Sequence, residues 1–345
     1  MYLQSVGFRR ALAAACILLL GGAFSLDAQS APPRWFTEMA SEYPDAKYLA
    51  AAGSGSSRRG AEDDAAGGLA RLFSVKVKVD AVAQQKYAEF VKGDKAYSES
   101  EMAVSQTVGT QASGQFVNMR FSDPYTDQNG TVHVAAFLER EPTAAIYRSL
   151  IQKDLAKVDD FSGRAASASG SLKRYAFYDA AYNVGLNAER LLSQLHIIHV
   201  NTARPFEALL DLTKIAASRD REASRLTCAI DITGDEDKRL MGIVKKALES
   251  VFLSYKADGR LSVKGSWSVE PVTVNPQFKS VEWMANISLY NEAGAAIATF
   301  SKRARQNAAT ENQAAAFAYR EAEKALNKEL VDGLNNYLKL VVTGQ

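Results

Sequence analysis

Residues 47–82 read KYLAAAGSGSSRRGAEDDAAGGLARLFSVKVKVDAV, and this stretch decides the fold. Tyr48 to Ala52 is a short apolar run of strand length. Gly53-Ser54-Gly55-Ser56-Ser57 follows with the composition of a turn, so Gly53 and Gly55 are expected to be structural turn residues. Ala61, Ala65, Leu69 and Leu72/Phe73 then recur at helical spacing. Such small residues let a helix lie close on a sheet. Gly67 and Gly68 each weaken a helix by about 1 kcal/mol relative to Ala, so they point to tight packing rather than propensity. Val75, Val77 and Val79 alternate with Lys76 and Lys78, which predicts a half-exposed strand.

Downstream, Val117, Met119 and Phe121 alternate within 115–122, and Val132 to Leu138 forms a second apolar run. Asp127-Gln128-Asn129-Gly130 lies between them, which predicts a β-hairpin. Residues 83–112 are polar and fit either a strand end with a helix or an excursion. Glu141-Pro142 opens a helix, with Pro in its first turn. Residues 32–142 therefore predict a β-α-β unit followed by a hairpin.

Residues 143–222 predict a helical spacer. Ile146, Leu150, Leu155 and Val158 form one stripe, and Leu172, Tyr175, Leu191 and Leu195 another. A small-residue break is expected over 161–170, and a third helix from Ala203-Arg204-Pro205 carrying Phe206, Leu209 and Leu212. Residues 223–345 predict β-α-β-β-β-α. Thr233-Gly234-Asp235-Glu236 fits a capping box ahead of a stripe through Leu240, Val244 and Leu248. Leu261 to Val269 and Val281 to Leu289 alternate, Ala296 to Ser301 follows, and Thr310-x-x-Gln313 caps a long helix through Ala315, Ala318, Ala322, Leu326, Leu330 and Leu334. The expected class is α+β: two α/β modules joined by a helical spacer.

The 345 residues are 47% hydrophobic with a formal charge of +2. That composition suits a packed core and gives no reason to expect nucleic acid as a partner. Residues 1–31 have the pattern of an export signal. Arg9 and Arg10 precede an apolar run from Ala11 to Phe24, and Ala28-Gln29-Ser30 offers a small-x-small cleavage site. Ala13-Ala14-Ala15-Cys16 has the look of a lipobox, although Ile17 to Leu20 continue the apolar run beyond the cysteine. Three outcomes stay open: cleavage near Ala28, a lipid on Cys16 that attaches the chain to a membrane, or an uncleaved anchor. With the signal removed, Cys228 is the remaining cysteine, so no intrachain disulfide forms.

Pro33-x-Trp35, Tyr48-Leu49 leading to Gly53-x-Gly55, the alanine ladder from Ala61 to Phe73, and Val134-Ala135-Ala136-Phe137-Leu138-Glu139-Arg140 carry a family resemblance. In this order they resemble the LPP-twenty family of bacterial envelope lipoproteins, related to the N-terminal module of flagellar assembly protein T. The resemblance covers residues 32–155. It implies an exported, envelope-associated protein without enzymatic activity, and it brings no catalytic residues. Cys16 departs from the family pattern, which places the lipid-bearing cysteine directly before the mature chain.

No motif carries catalytic chemistry. Gly53 to Gly60 stands where phosphate loops occur, but it lacks the Gly-Lys-Ser/Thr ending and the dinucleotide spacing. His196 and His199 have i, i+3 spacing without the intervening Glu of a zinc-protease helix, and His133 lies far off in sequence. An exported hydrolase would need His196, His199 and a carboxylate to converge. Cys228 is expected to be a small buried hydrophobe. Glu62-Asp63-Asp64 and Asp235-Glu236-Asp237 suit helix starts and lack calcium-loop spacing. Lys302-Arg303-x-Arg305 reads as a solvated strand end. Trp35 and Phe36 are expected to dock on the first module. The expectation is a binding or scaffold protein of the periplasm or outer membrane, with no catalytic residue, metal or cofactor and no small-molecule substrate. Its partner would be an envelope protein or cell-wall polymer, in the regulatory version a component of cell-wall synthesis or flagellar assembly.

Overall fold

The computed structural model describes residues 31–73, 81–92, 94–99, 101–102, 117–273 and 277–344. Residues 1–30 of the expected signal region, Cys16 among them, and the expected strand Val75–Val79 lie outside the described residues. The fold is α+β, as the alternation of periods predicts.

Two short helices, α1 (Arg34–Thr37) and α2 (Met39–Glu42), precede strand β1 (Tyr48–Gly55) and helix α3 (Arg58–Leu72). The chain stays extended through Gly53 and Gly55, where a turn is expected, and bends at Ser56-Ser57. The physical reason is contact. A Cβ on Gly53 would sit 2.0 Å from the Ala65 nitrogen, and one on Gly55 would sit 2.7 Å from the Ala61 nitrogen. The helix backbone rests directly on the strand, and Ala61, Ala65 and Leu69 are fully buried against it. Ser57 caps the helix by accepting from the Gly60 amide at 3.2 Å, while Asp64 accepts from the Ser54 amide at 3.0 Å.

Helix α4 (Ala81–Val91) follows, then the small strands β2 (Arg120–Phe121) and β3 (Tyr125–Thr126), then β4 (Val132–Glu139). Strand β4 is central, pairing antiparallel with β1 and with both small strands. The Asp127–Gly130 turn is present, with Gly130 at φ +78°. Of the arm expected over 115–122, only Arg120–Phe121 is strand among the described residues: Val117-Asn118 turn, with Asn118 at φ +60°, and Ser122-Asp123-Pro124 separates β2 from β3, because proline offers no ladder donor. Ser122 bridges the gap, its hydroxyl accepting from the Ala135 amide at 2.9 Å. In the β1–β4 register, Leu49 faces Leu138 and Ala51 faces Ala136 under α3, so Tyr48 and Phe137 point to the opposite face.

Two 28-residue helices form an antiparallel pair, α5 (Arg140–Ser167) and α6 (Ser171–Ile198). The expected ten-residue break narrows to Ala168–Gly170. Phe161 and Ala165 are buried within α5, and Gly170 at φ +89° makes the reversal. The expected third helix also differs. A short helix α7 (Val200–Ala203) and a 3-10 turn (Arg204–Phe206) precede helix α8 (Leu212–Ser224). Phe206 is buried there, but Leu209 is 63% exposed.

The second sheet is mixed, in the order β6-β5-β7-β8-β9. Strand β5 (Thr227–Thr233) lies parallel to β6 (Ser254–Tyr255) and β7 (Leu261–Val272), whereas β8 (Lys279–Tyr290) and β9 (Ala296–Ala308) continue antiparallel. Helices α9 (Arg239–Glu249) and α10 (Glu311–Thr343) cover one face. Val281, Trp283, Ala285, Ile287 and Leu289 alternate inward, as their period of two requires. Thr310 caps α10 by accepting from the Gln313 amide at 3.3 Å. The buried row starts at Ala314 rather than Ala315. The Thr233 capping box does not form. Gly234 turns the chain at φ +78°, and Asp235 reaches forward to accept from the amides of Leu240 (3.1 Å) and Met241 (2.7 Å). Strand β9 runs on through the basic cluster instead of ending at Ser301.

The helical pair shares its cores with both sheets. Leu150, Ile151, Leu191 and Leu195 pack with Leu49, Leu69 and Leu138, while Leu172 and Tyr175 belong to the core of the second sheet. Arg140 ties the first join. Its guanidinium donates to the carbonyls of Asp45 (2.7 Å), Tyr48 (3.2 Å), Ile197 (2.8 Å) and Ile198 (2.6 Å), linking the start of β1 to the end of α6. Among the described residues, no helix is long and apolar enough to cross a membrane.

Candidate functional site

A groove of about 590 Å³ opens on the outer face of the first sheet. Among the described residues, α3 covers one face of this sheet, and the short helices α1 and α2 lie at the other. The alternation of β4 turns Phe137 outward, Tyr43 comes from the end of α2, and Phe121, Pro124 and Tyr125 come from the interrupted hairpin arm. Trp35 forms the floor at 6% exposure. Tyr43 stacks on Phe137 with centroids 4.4 Å apart, and the Arg120 guanidinium lies 5.5 Å from the Phe137 ring while pairing with Glu139. Phe36 leans on Tyr125 at 4.7 Å and on His133 at 4.8 Å. Both aromatics of the Trp35-Phe36 pair thus dock on the first module, Phe36 remaining 39% exposed.

Two carboxylates mark the rim, Glu42 and Asp123. Partial burial, with the nearby charges of Glu42 and Asp123, raises the pKa of Tyr43 against the opposing pull of Arg120. His133 bonds Asp127 at 3.0 Å, and this bond leads the causes that lower the Asp127 pKa. A groove with apolar walls, phenol groups and acidic corners can bind and orient a ligand.

The other residues marked in sequence do not come together. His196 pairs with Glu207 at 3.0 Å and His199 with Glu141 at 3.0 Å. His199 also caps α7, its Nδ1 lying 2.7 Å from the Thr202 hydroxyl. No group of three or more metal-ligating side chains occurs among the described residues. Cys228 is buried in β5, and burial pushes its thiol up to about 12. Glu62 pairs with Arg58, and Asp64 and Asp235 hold backbone amides. The basic cluster is matched by acids: Lys302 pairs with Glu321, and Arg303 and Arg305 with Glu282.

A buried polar network inside the helical unit is not apparent from the sequence motifs. Asp154 of α5 is fully buried and accepts from Tyr97 (2.8 Å), Tyr87 (3.2 Å) and Asn187 (2.7 Å). Arg190 donates to Asn187, and Tyr147 donates to Gln194 at 2.6 Å. Among the described residues, Arg190 Nε and Gln194 Nε2 are buried without partners. The spacing of Asn187, Arg190 and Gln194 puts them on one helix face, and this polar row was the available signal. Around it, Lys86–Asp179, Lys153–Glu101 and Lys157–Asp94 fasten α4 and the residues Asp94 and Glu101 to the helical pair.

No protein-family model matches the chain, and no curated protein matches it. Among solved structures, a minor lipoprotein from Acinetobacter baumannii is similar over 35% of this chain and 95% of its own, at 9% identity and a TM-score of 0.23. A secreted protein from Helicobacter pylori is similar over 81% of this chain and 96% of its own, at 9% identity and a TM-score of 0.37. Neither likeness is close enough to transfer a function, so the resemblance to the LPP-twenty family rests on the motif residues.

Proposed function

We propose that the chain is an exported protein of the bacterial envelope that works by binding, without catalysis, in the periplasm or at the outer membrane. The observation that carries the binding role is the aromatic groove, whose rings and acidic rim are built by a sheet and two short helices. The compartment follows from residues 1–31, with their paired arginines, apolar run and small-residue cleavage site. The histidines support a structural role, since each is engaged by its own carboxylate.

Cell fractionation followed by mass spectrometry of the mature N-terminus tests this. An envelope fraction with an end near Ala31, or with a lipid on Cys16, is the expected result. A cytosolic chain retaining Met1 would overturn it.

A further inference from the structure

Several rings of the groove are already engaged with one another or with a cation. Tyr43 and Phe137 cover one another with an interplanar angle of 25°, Arg120 lies over Phe137, and Phe36 leans on Tyr125. A sugar ring stacks on an open aromatic face, and the faces engaged in this way are not open to one. The phenol groups of Tyr43 and Tyr125 have no hydrogen-bond partner among the described residues, which leaves two donors at the wall. Glu42 and Asp123 have no cation within 4.0 Å among the described residues. Two cations lie nearby, Arg120 and Arg58, and they are engaged by Glu139 and Glu62 respectively. Pro33, which lines the groove, has φ −64° and ψ 154°, the polyproline II conformation.

A polyproline II segment complements each of these features. It has no internal hydrogen bonds, so its carbonyls seek donors. Its proline rings fit between aromatic edges and neighbouring prolines. With three residues per turn, a cation at every third position falls along one edge and meets the carboxylates. We propose that the groove binds a proline-rich segment of a partner protein in polyproline II conformation, with Arg or Lys along the edge that faces Glu42 and Asp123. This names the partner class for the binding role above and rests on it.

The probe is a peptide of about 12 residues repeating Pro-Pro-Arg, about 37 Å long in this conformation. It is titrated by calorimetry into the chain purified from the envelope fraction. Saturable binding is expected, weakened about tenfold or more when the peptide repeats Pro-Pro-Glu. Tyr43→Phe, which keeps the ring, and Asp123→Asn, which keeps the shape, are each expected to weaken it about fivefold to tenfold. Unchanged circular dichroism would show that both variants fold. Absence of saturation at millimolar peptide, equal affinity for the Glu peptide, or variants that bind as well as the native chain would overturn the assignment. So would saturation by a soluble cell-wall disaccharide that Tyr43→Phe weakens. A failed titration with the chain still in the envelope removes this ligand alone, whereas a cytosolic chain removes the envelope placement proposed above and leaves the peptide titration to decide the ligand.

Discussion

Asp154 is a carboxyl group sealed inside the helical unit, and its titration is a measurable consequence of the packing. Burial pushes its pKa from 3.8 up to about 6, against hydrogen bonds from Asn187, Tyr97 and Tyr87 and the charge of Arg190. The folded chain therefore holds a proton that the unfolded chain releases between about pH 4 and 6. Stability falls as pH rises through that window and levels off above it. A gap of about 2 pH units corresponds to about 3 kcal/mol at most, and to about 2 kcal/mol between about pH 4.5 and 7.5. Asp154→Asn removes the titration and keeps an oxygen for the two phenols. Its stability difference from the native chain should change by about 2 kcal/mol across that range, with the native chain relatively stronger in acid. Glu101 and Asp94 act in the opposite sense. Against burial, bonds from Lys153 and Ser98 hold Glu101 down at about 2, and those from Lys157 and the Ala96 amide lower Asp94. Their stabilisation is present above the ordinary carboxylate range and is lost on acidification, equally in both chains, so it cancels in the difference. Urea unfolding followed by far-ultraviolet circular dichroism supplies the numbers. A difference that stays constant within about 0.5 kcal/mol across the range would refute a raised Asp154 pKa.

Gly53→Ala places a Cβ 2.0 Å from the backbone of α3, with no flexible side chain to yield, and should cost more than the usual ~1–3 kcal/mol of overpacking; a native thermal melt would remove the close strand–helix contact. Ala65→Leu attacks the same contact from the helix side and should cost about 1–3 kcal/mol in urea unfolding. Arg140→Met leaves the carbonyls of Ile197 and Ile198 without their cation and should cost about 3 kcal/mol. Arg140→Lys should recover only part, since an ammonium lacks the fork that reaches both elements; equal urea midpoints for the two variants would count against the tie. Thr310→Ala removes the α10 cap and should lower stability by about 1 kcal/mol, read as a shifted urea midpoint at constant slope.

What the sequence discloses is what local chemistry decides. The Thr310 cap needs residues three apart, and the inward rows of β7 and β8 need only a period of two, so both are legible. Glycine at positions 53 and 55 is legible as special but ambiguous in cause. Turn and close contact both exclude a Cβ, and only the position of Ala61 and Ala65 against the strand separates them. The Asp235 cap is missed because the side chain reaches five and six residues ahead, beyond the capping-box spacing. The break over 161–170 is read too wide because Ser, Gly and Ala stay helical once Phe161 and Ala165 are buried. The groove is hidden for a different reason. Tyr43, Phe121 and Phe137 meet only through the antiparallel pairing of strands that the sequence cannot register against one another. The Asp154 network likewise joins residues 57 to 67 positions apart with others on α6.

Helix α10 has 33 residues and is about 50 Å long. Its buried row steps by four residues from Ala314 to Leu334, and each step turns the contact line by about 40°. Such a line cannot stay on one surface. The early alanines lie against the second sheet, and by Leu338, Val341 and Val342 the contact has moved to the helical unit, where Val342 shares a core with Tyr87. The helix is thus a clasp closed from the far end of the chain. The helical unit has an incomplete wall until the last turns of α10 arrive, so its closure is a long-range event and a slow one in refolding. Were the chain exported as proposed above, the interval before that closure would be when a folding helper has the most exposed surface to hold.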